Sequence, residues 1–75
     1  MNNPRYRATY TWSTNLVVVE KRHGTTWTPQ ITTTVDGFVW GCGRYDERTH
    51  NLPDYIHETV WAQHKRQRAT AYGYR

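Results

Sequence analysis

The sequence predicts an α+β fold: a four-stranded antiparallel β-meander with one C-terminal α-helix packed on its aromatic face. Three observations predict it. Residues alternate with period two from Arg5 onward, as a half-buried strand requires. Turn signals recur at short intervals, at Ser13-Thr14-Asn15, His23-Gly24 and Asp36-Gly37. After Asn51 the apolar period changes from two to that of a helix.

The elements follow in order. In "RYRATYTWS", Tyr6, Ala8, Tyr10 and Trp12 point one way and Arg5, Arg7, Thr9 and Thr11 the other. This predicts a first strand over 5–12. A loop at 13–15 leads into "LVVVEKR", the second strand, over 16–22. His23-Gly24 is a tight-turn signal because glycine accepts positive φ. "TTWTPQITTTV" predicts a third strand over 26–35, and Asp36-Gly37 is a strong hairpin signal before a fourth over 38–45.

Consistent registers support that meander. A three-residue loop at 13–15 pairs Trp12 with Leu16. A two-residue loop at His23-Gly24 pairs Glu20 with Trp27 and Leu16 with Ile31. The Asp36-Gly37 loop pairs Val35 with Phe38 and Thr33 with Trp40. Together they gather Tyr6, Tyr10, Trp12, Leu16, Val18, Trp27, Ile31, Val35, Phe38, Trp40 and Cys42 on one face. A one-residue slip would scatter the set. Glu20 falls on that apolar face and is expected at its rim. Pro29 cannot donate to a ladder, so a bulge or an early end to pairing is expected there. The opposite face is rich in threonine, has no aromatic residue, and reads as a solvated surface.

The helix is expected over 52–69, with Asn51 as N-cap, Pro53 in the first turn and Asp54 at the positive end of the dipole. Leu52, Tyr55, Ile56, Thr59, Val60 and Gln63 share its core stripe. Gln63, Arg66 and Gln67 do not suit a dry core, so the last two turns are expected beyond the sheet or over a wet rim. Residues 70–75 form a tail.

The chain has 75 residues and is expected to form a single domain, 1–75. Its single cysteine excludes an internal disulfide, and from its polar start no signal peptide is expected. The expected location is cytoplasmic or otherwise intracellular, away from membranes. Net charge is +4, and residues 1–60 carry six basic and six acidic side chains, so the excess lies in 61–75. A basic end on a neutral body implies an anionic partner.

The candidate site lies on the opposite stripe of the helix: His57, Trp61, His64, Lys65 and Arg68, with Arg66 beside them. A flat apolar anchor ringed by cations suits recognition. An unpaired base could stack on Trp61 while the cations meet phosphates, or an acidic protein surface could accept the indole. The "TAYGYR" tail could instead cover Trp61. A secondary basic patch of Arg5, Arg7 and Lys21 would serve a sheet laid in a nucleic-acid groove.

Catalytic and metal chemistry find little footing. His50, His57 and His64 are seven apart, roughly 10.5 Å per step on a helix, too far for one ion. Cys42 is expected on the buried face, and Asp46 and Glu47 lie in a polar loop without a pocket. No cofactor, metal or enzymatic activity is expected. The favoured reading is a small non-enzymatic binding protein that engages nucleic acid or a nucleic-acid-handling complex. The runner-up is a small inhibitor or adaptor docking on an acidic protein surface, of the kind viruses and phages use against host enzymes. A third reading is a homo-oligomeric subunit joined through an edge strand or Trp61.

Overall fold

The computed structural model describes residues 5–73. Three antiparallel strands, β1 (Tyr6–Thr11), β2 (Leu16–His23) and β3 (Thr26–Thr34), form a sheet in that order. Two 3₁₀ turns, Val35–Phe38 and Glu47–Asn51, lead to one helix, α1 (Asp54–Ala71). The α+β class stands, with three strands rather than four.

The expected fourth strand, 38–45, does not form. A tight hairpin of the primed type at Asp36-Gly37 needs positive φ, and Gly37 does not adopt it. The chain instead coils, with the Val39 N–H donating to the Asp36 carbonyl at 3.0 Å. Gly37 is buried, and a Cβ there would overlap Thr33 Oγ1 and crowd Asp46. Beyond it, Gly41 takes φ 83° and the chain runs in successive turns, Cys42 to Val39 and Tyr45 to Cys42. Glycine on either side of Cys42 removes the side chains that a strand would pack.

The buried face also differs from expectation, and one residue of loop length is the cause. The β1–β2 connection pairs Thr11 with Leu16, so Trp12–Asn15 form a four-residue loop. Asn15 closes it at φ 57°, a left-handed conformation that asparagine tolerates. This flips β2: Val17 and Val19 are fully buried, while Leu16 and Val18 turn away. The next turn is Gly24-Thr25 rather than His23-Gly24, pairing His23 with Thr26. That puts Trp27 on the uncovered face, so the face is not without aromatics. Glu20 moves there too, which removes its apparent conflict with the core.

A bulge restores the register further along. Glu20 pairs with Pro29 and Val19 with Ile31, leaving Gln30 as the extra residue. The irregularity expected at Pro29 is present, and it keeps Ile31 inward. The core is therefore Ala8, Tyr10, Val17, Val19, Ile31, Val35, Phe38, Ile56 and Val60, with Tyr6, Trp12 and Leu52 packed against it. It is mainly aliphatic. Trp27 and Trp40 are not in it, and Cys42 is half-buried in the loop.

Helix α1 starts after Pro53, and Asn51 closes the preceding 3₁₀ turn rather than capping the helix. Ile56 and Val60 are its fully buried residues. It ends at Ala71, where Gly73 adopts φ 69° and its N–H meets the Thr70 carbonyl at 3.2 Å.

The polar residues expected over a wet rim have a different task. β1 is an edge strand, and α1 runs along its open side. The Gln63 Oε1 accepts from the Tyr10 N–H at 2.8 Å and its Nε2 donates to the Ala8 carbonyl at 2.9 Å. Gln67 repeats the pattern one step on, with the Trp12 N–H at 2.8 Å and the Tyr10 carbonyl at 2.7 Å. The Tyr55 hydroxyl accepts from the Tyr6 N–H and donates to the Tyr6 carbonyl, both at 2.9 Å. Side chains thus stand in for a fourth strand, closing an edge that would otherwise invite another chain.

Candidate functional site

The helix-borne candidates divide into a structural group and an exposed group. His57 is half-buried, with Nε2 at 3.1 Å from the Thr49 carbonyl and its ring edge-on to Phe38. It ties the helix to the 3₁₀ turns. His64 is half-buried among Tyr10, Trp12 and Trp61, with ring centroids at 5.3, 5.7 and 5.6 Å. It wedges between the core aromatics and Trp61. His64 also lines an open pocket with Asn15 and Asp36.

Trp61 remains 38% exposed. Lys65 and Arg68 are exposed and share its sector of the helix at 100° per residue. Arg66 is exposed as well, but lies about 140° from Trp61 on the wheel. It borders a separate groove of about 500 Å³ with Trp12, Gln67 and Ala71. Of the tail, Tyr72 meets Trp12 edge-on, with centroids 5.9 Å apart. Tyr74 and Arg75 lie outside the described residues.

The secondary patch does not assemble. Arg7 Nε donates to Glu20 Oε1 at 2.7 Å, and the Arg7 guanidinium stacks 4.3 Å from the Trp27 ring. Lys21 pairs with Tyr6 in the register and so points to the opposite face, where its Nζ lies 6.0 Å from the Tyr6 ring. Arg22 stands opposite Trp27 and donates its N–H to the Arg5 carbonyl at 2.8 Å. The sheet's uncovered face thus gathers Arg5, Arg7 and Arg22 around Trp27 and Glu20.

The loop acids have distinct environments. Asp46 accepts from the Arg48 backbone N–H at 3.0 Å and is gripped by its guanidinium, at 3.0 Å from Nε and 2.6 Å from Nη2. The Arg48 hydrogen bond, with further help from its backbone N–H and charge and from Thr33, holds the Asp46 carboxyl down at about 2 against a burial cost. Asp46 raises Arg48 in turn. Burial pushes the Tyr10 hydroxyl up, and the Asp36 carboxylate adds to the shift. No ion pair holds Glu47 among the described residues.

Trp40 is a site feature that sequence reasoning missed. Placed in a strand by the alternation, it is in fact 78% exposed. Tyr45 lies edge-on to it at 5.2 Å and His50 tilted at 6.3 Å. The flanking glycines of "WGCG" were the available signal for a turn there. No group of three or more His, Cys, Asp or Glu among the described residues could hold a metal ion. No helix among them is long and apolar enough to cross a membrane.

Fold and geometry define a three-stranded α+β chain with a cationic helix end and exposed aromatic side chains. No known protein family, curated protein or solved structure matches it.

Proposed function

We propose that this chain is a non-enzymatic binding protein that engages nucleic acid through the C-terminal half of α1. Trp61, Lys65 and Arg68 are the contact residues; Arg66, about 140° away on the helix, adds positive charge near them without sharing their face. One observation carries the reading. Arg7, Arg44 and Arg48 are each held by a carboxylate, whereas Lys65, Arg66 and Arg68 have no ion pair among the described residues. Arg5, Lys21 and Arg22 also lack one, but they sit at the far end of β1 and on both faces of the sheet. Exposed tryptophan beside free cations suits a base stacked on the ring with phosphates on the charges.

The test is a salt series with single-stranded and duplex probes. Each phosphate neutralised contributes a log–log slope of roughly 0.7–0.9. Lys65→Ala or Arg68→Ala should lower the slope by about that amount, and Trp61→Ala should weaken the single-stranded probe more than the duplex. Absence of binding to either probe at low ionic strength would end this reading.

A second reading, an inhibitor or adaptor on an acidic protein surface, draws support from the groove beside Arg66. An apolar groove with a cation at its lip suits an apolar side chain followed by an acidic one. Binding to a protein that survives nuclease treatment and is lost in Arg66→Glu would favour it.

A further inference from the structure

The loop between the 3₁₀ turns, with the second of those turns, carries an aromatic corner around the exposed Trp40. Trp40 and Tyr45 stand nearly perpendicular, 78° apart at 5.2 Å. His50 forms a third wall, tilted 40° to Trp40. With Glu47 and Asn51 they line an open pocket of about 290 Å³. Trp40 is 78% exposed, so core burial does not account for its position. We infer that this corner is a binding site for a small quaternary ammonium head group, with Trp40, Tyr45 and His50 as the cage and Glu47 as the counter-charge.

Three features support that chemistry over others. Ring faces attract cations through their quadrupole, and tryptophan does so most strongly. The neighbouring guanidiniums do not oppose a second cation at full strength, because Arg44 pairs with Asp36 at 3.6 Å and Arg48 with Asp46 at 2.6 Å. Glu47, in contrast, has no ion-pair partner among the described residues. A primary ammonium brings three N–H donors and a guanidinium five. Apart from the Glu47 carboxylate and the Asn51 amide, the lining side chains are aromatic rings, so a cation without N–H groups fits best. The pocket volume lies at or below the lower limit of about 300 Å³ for ligand pockets, which suits a head group rather than a whole ligand.

The experiment is a titration of the full chain with tetramethylammonium chloride at pH 8 and constant ionic strength, read from the tryptophan indole N–H signals. The Trp40 signal, identified by its absence in Trp40→Phe, should shift saturably while those of Trp12, Trp27 and Trp61 stay in place. Glu47→Gln should weaken binding by about fivefold or more, and Trp40→Ala, followed by titration calorimetry because it lacks the reporter signal, should abolish it. A neutral isostere, 3,3-dimethylbutanol, should bind at least about tenfold less tightly than choline. Parallel titrations with choline and with a trimethyllysine peptide show which carrier presents the head group. No saturable shift at Trp40, or equal binding of the neutral isostere, would overturn the inference. Because Trp40 is exposed, its replacement leaves the core intact, and an unchanged melting temperature checks this.

Discussion

Replacing Gln63 with alanine should cost about 1–2 kcal/mol of stability. The side chain makes two hydrogen bonds to the β1 edge, one to the Tyr10 N–H and one to the Ala8 carbonyl. Each is worth about 1 kcal/mol net. Water can reach the partly buried edge and recover part of the loss, which sets the lower bound. For a domain of this size the change corresponds to roughly 5–12 °C in melting temperature, measured by circular dichroism. Gln63→Glu is the sharper test. An ionised carboxylate can still accept from Tyr10 but sets an oxygen against the Ala8 carbonyl oxygen. Only the protonated form serves both partners. The introduced carboxyl should therefore have a raised pKa in the folded state. Its stabilising contribution is full below the unfolded value of about 4.3 and is lost as pH rises through the folded value. A pH-independent deficit in Gln63→Glu, or an unchanged melt for Gln63→Ala, would refute the role assigned to this amide.

Three further outcomes follow from the geometry. Val17→Ala should destabilise by about 2 kcal/mol through lost burial, and Val18→Ala by well under half of that; equal losses in denaturant titration would mean that β2 presents its other face. Gly37→Ala should destabilise by about 1–3 kcal/mol through overlap with Thr33 and Asp46, and a wild-type thermal melt would contradict the packing around the first 3₁₀ turn. Asp46 has its carboxyl held down at about 2 by Arg48, so its contribution is present above the ordinary carboxylate range and disappears as pH falls through about 2. Asp46→Asn should lack that part of the acid transition, as followed by tryptophan fluorescence.

The sequence made the helix and the positions of all three strands legible because their signals are local. Period-two alternation marked β1, and the 3.6-residue stripe located Ile56 and Val60. Pro29 marked the bulge for a reason internal to proline, its missing N–H. The face of β2 was not legible, because a three-residue loop at 13–15 and a four-residue loop at 12–15 fit equally well by composition. Only burial of Val17 and Val19 in the core chooses between them, and that is a long-range fact. Mutually consistent registers did not reveal the error, since one loop length shifts a whole strand and the bulge at Gln30 then absorbs the mismatch. Among the site residues, exposure of Trp61, Lys65 and Arg68 followed from helical phase. The inward positions of His57 and His64 did not, because flanking positions become buried only when a neighbouring loop or strand rises to meet them. Trp40 was hidden by an alternation that continued across a segment too rich in glycine to remain a strand.

The clasp between α1 and β1 also sets an order of events during synthesis. Residues 6–12 leave the ribosome long before Gln63 and Gln67, so the hairpin of β1 and β2 emerges with one side unsealed. A released chain ending near residue 60 would carry the three strands and an open edge, with only the Tyr55 hydroxyl available to guard it. Such truncated chains should aggregate or recruit chaperones, and extension by the last turns of the helix should relieve this. Solubility measured across a series of C-terminal truncations should therefore rise in two steps, one as Gln63 is included and one as Gln67 is.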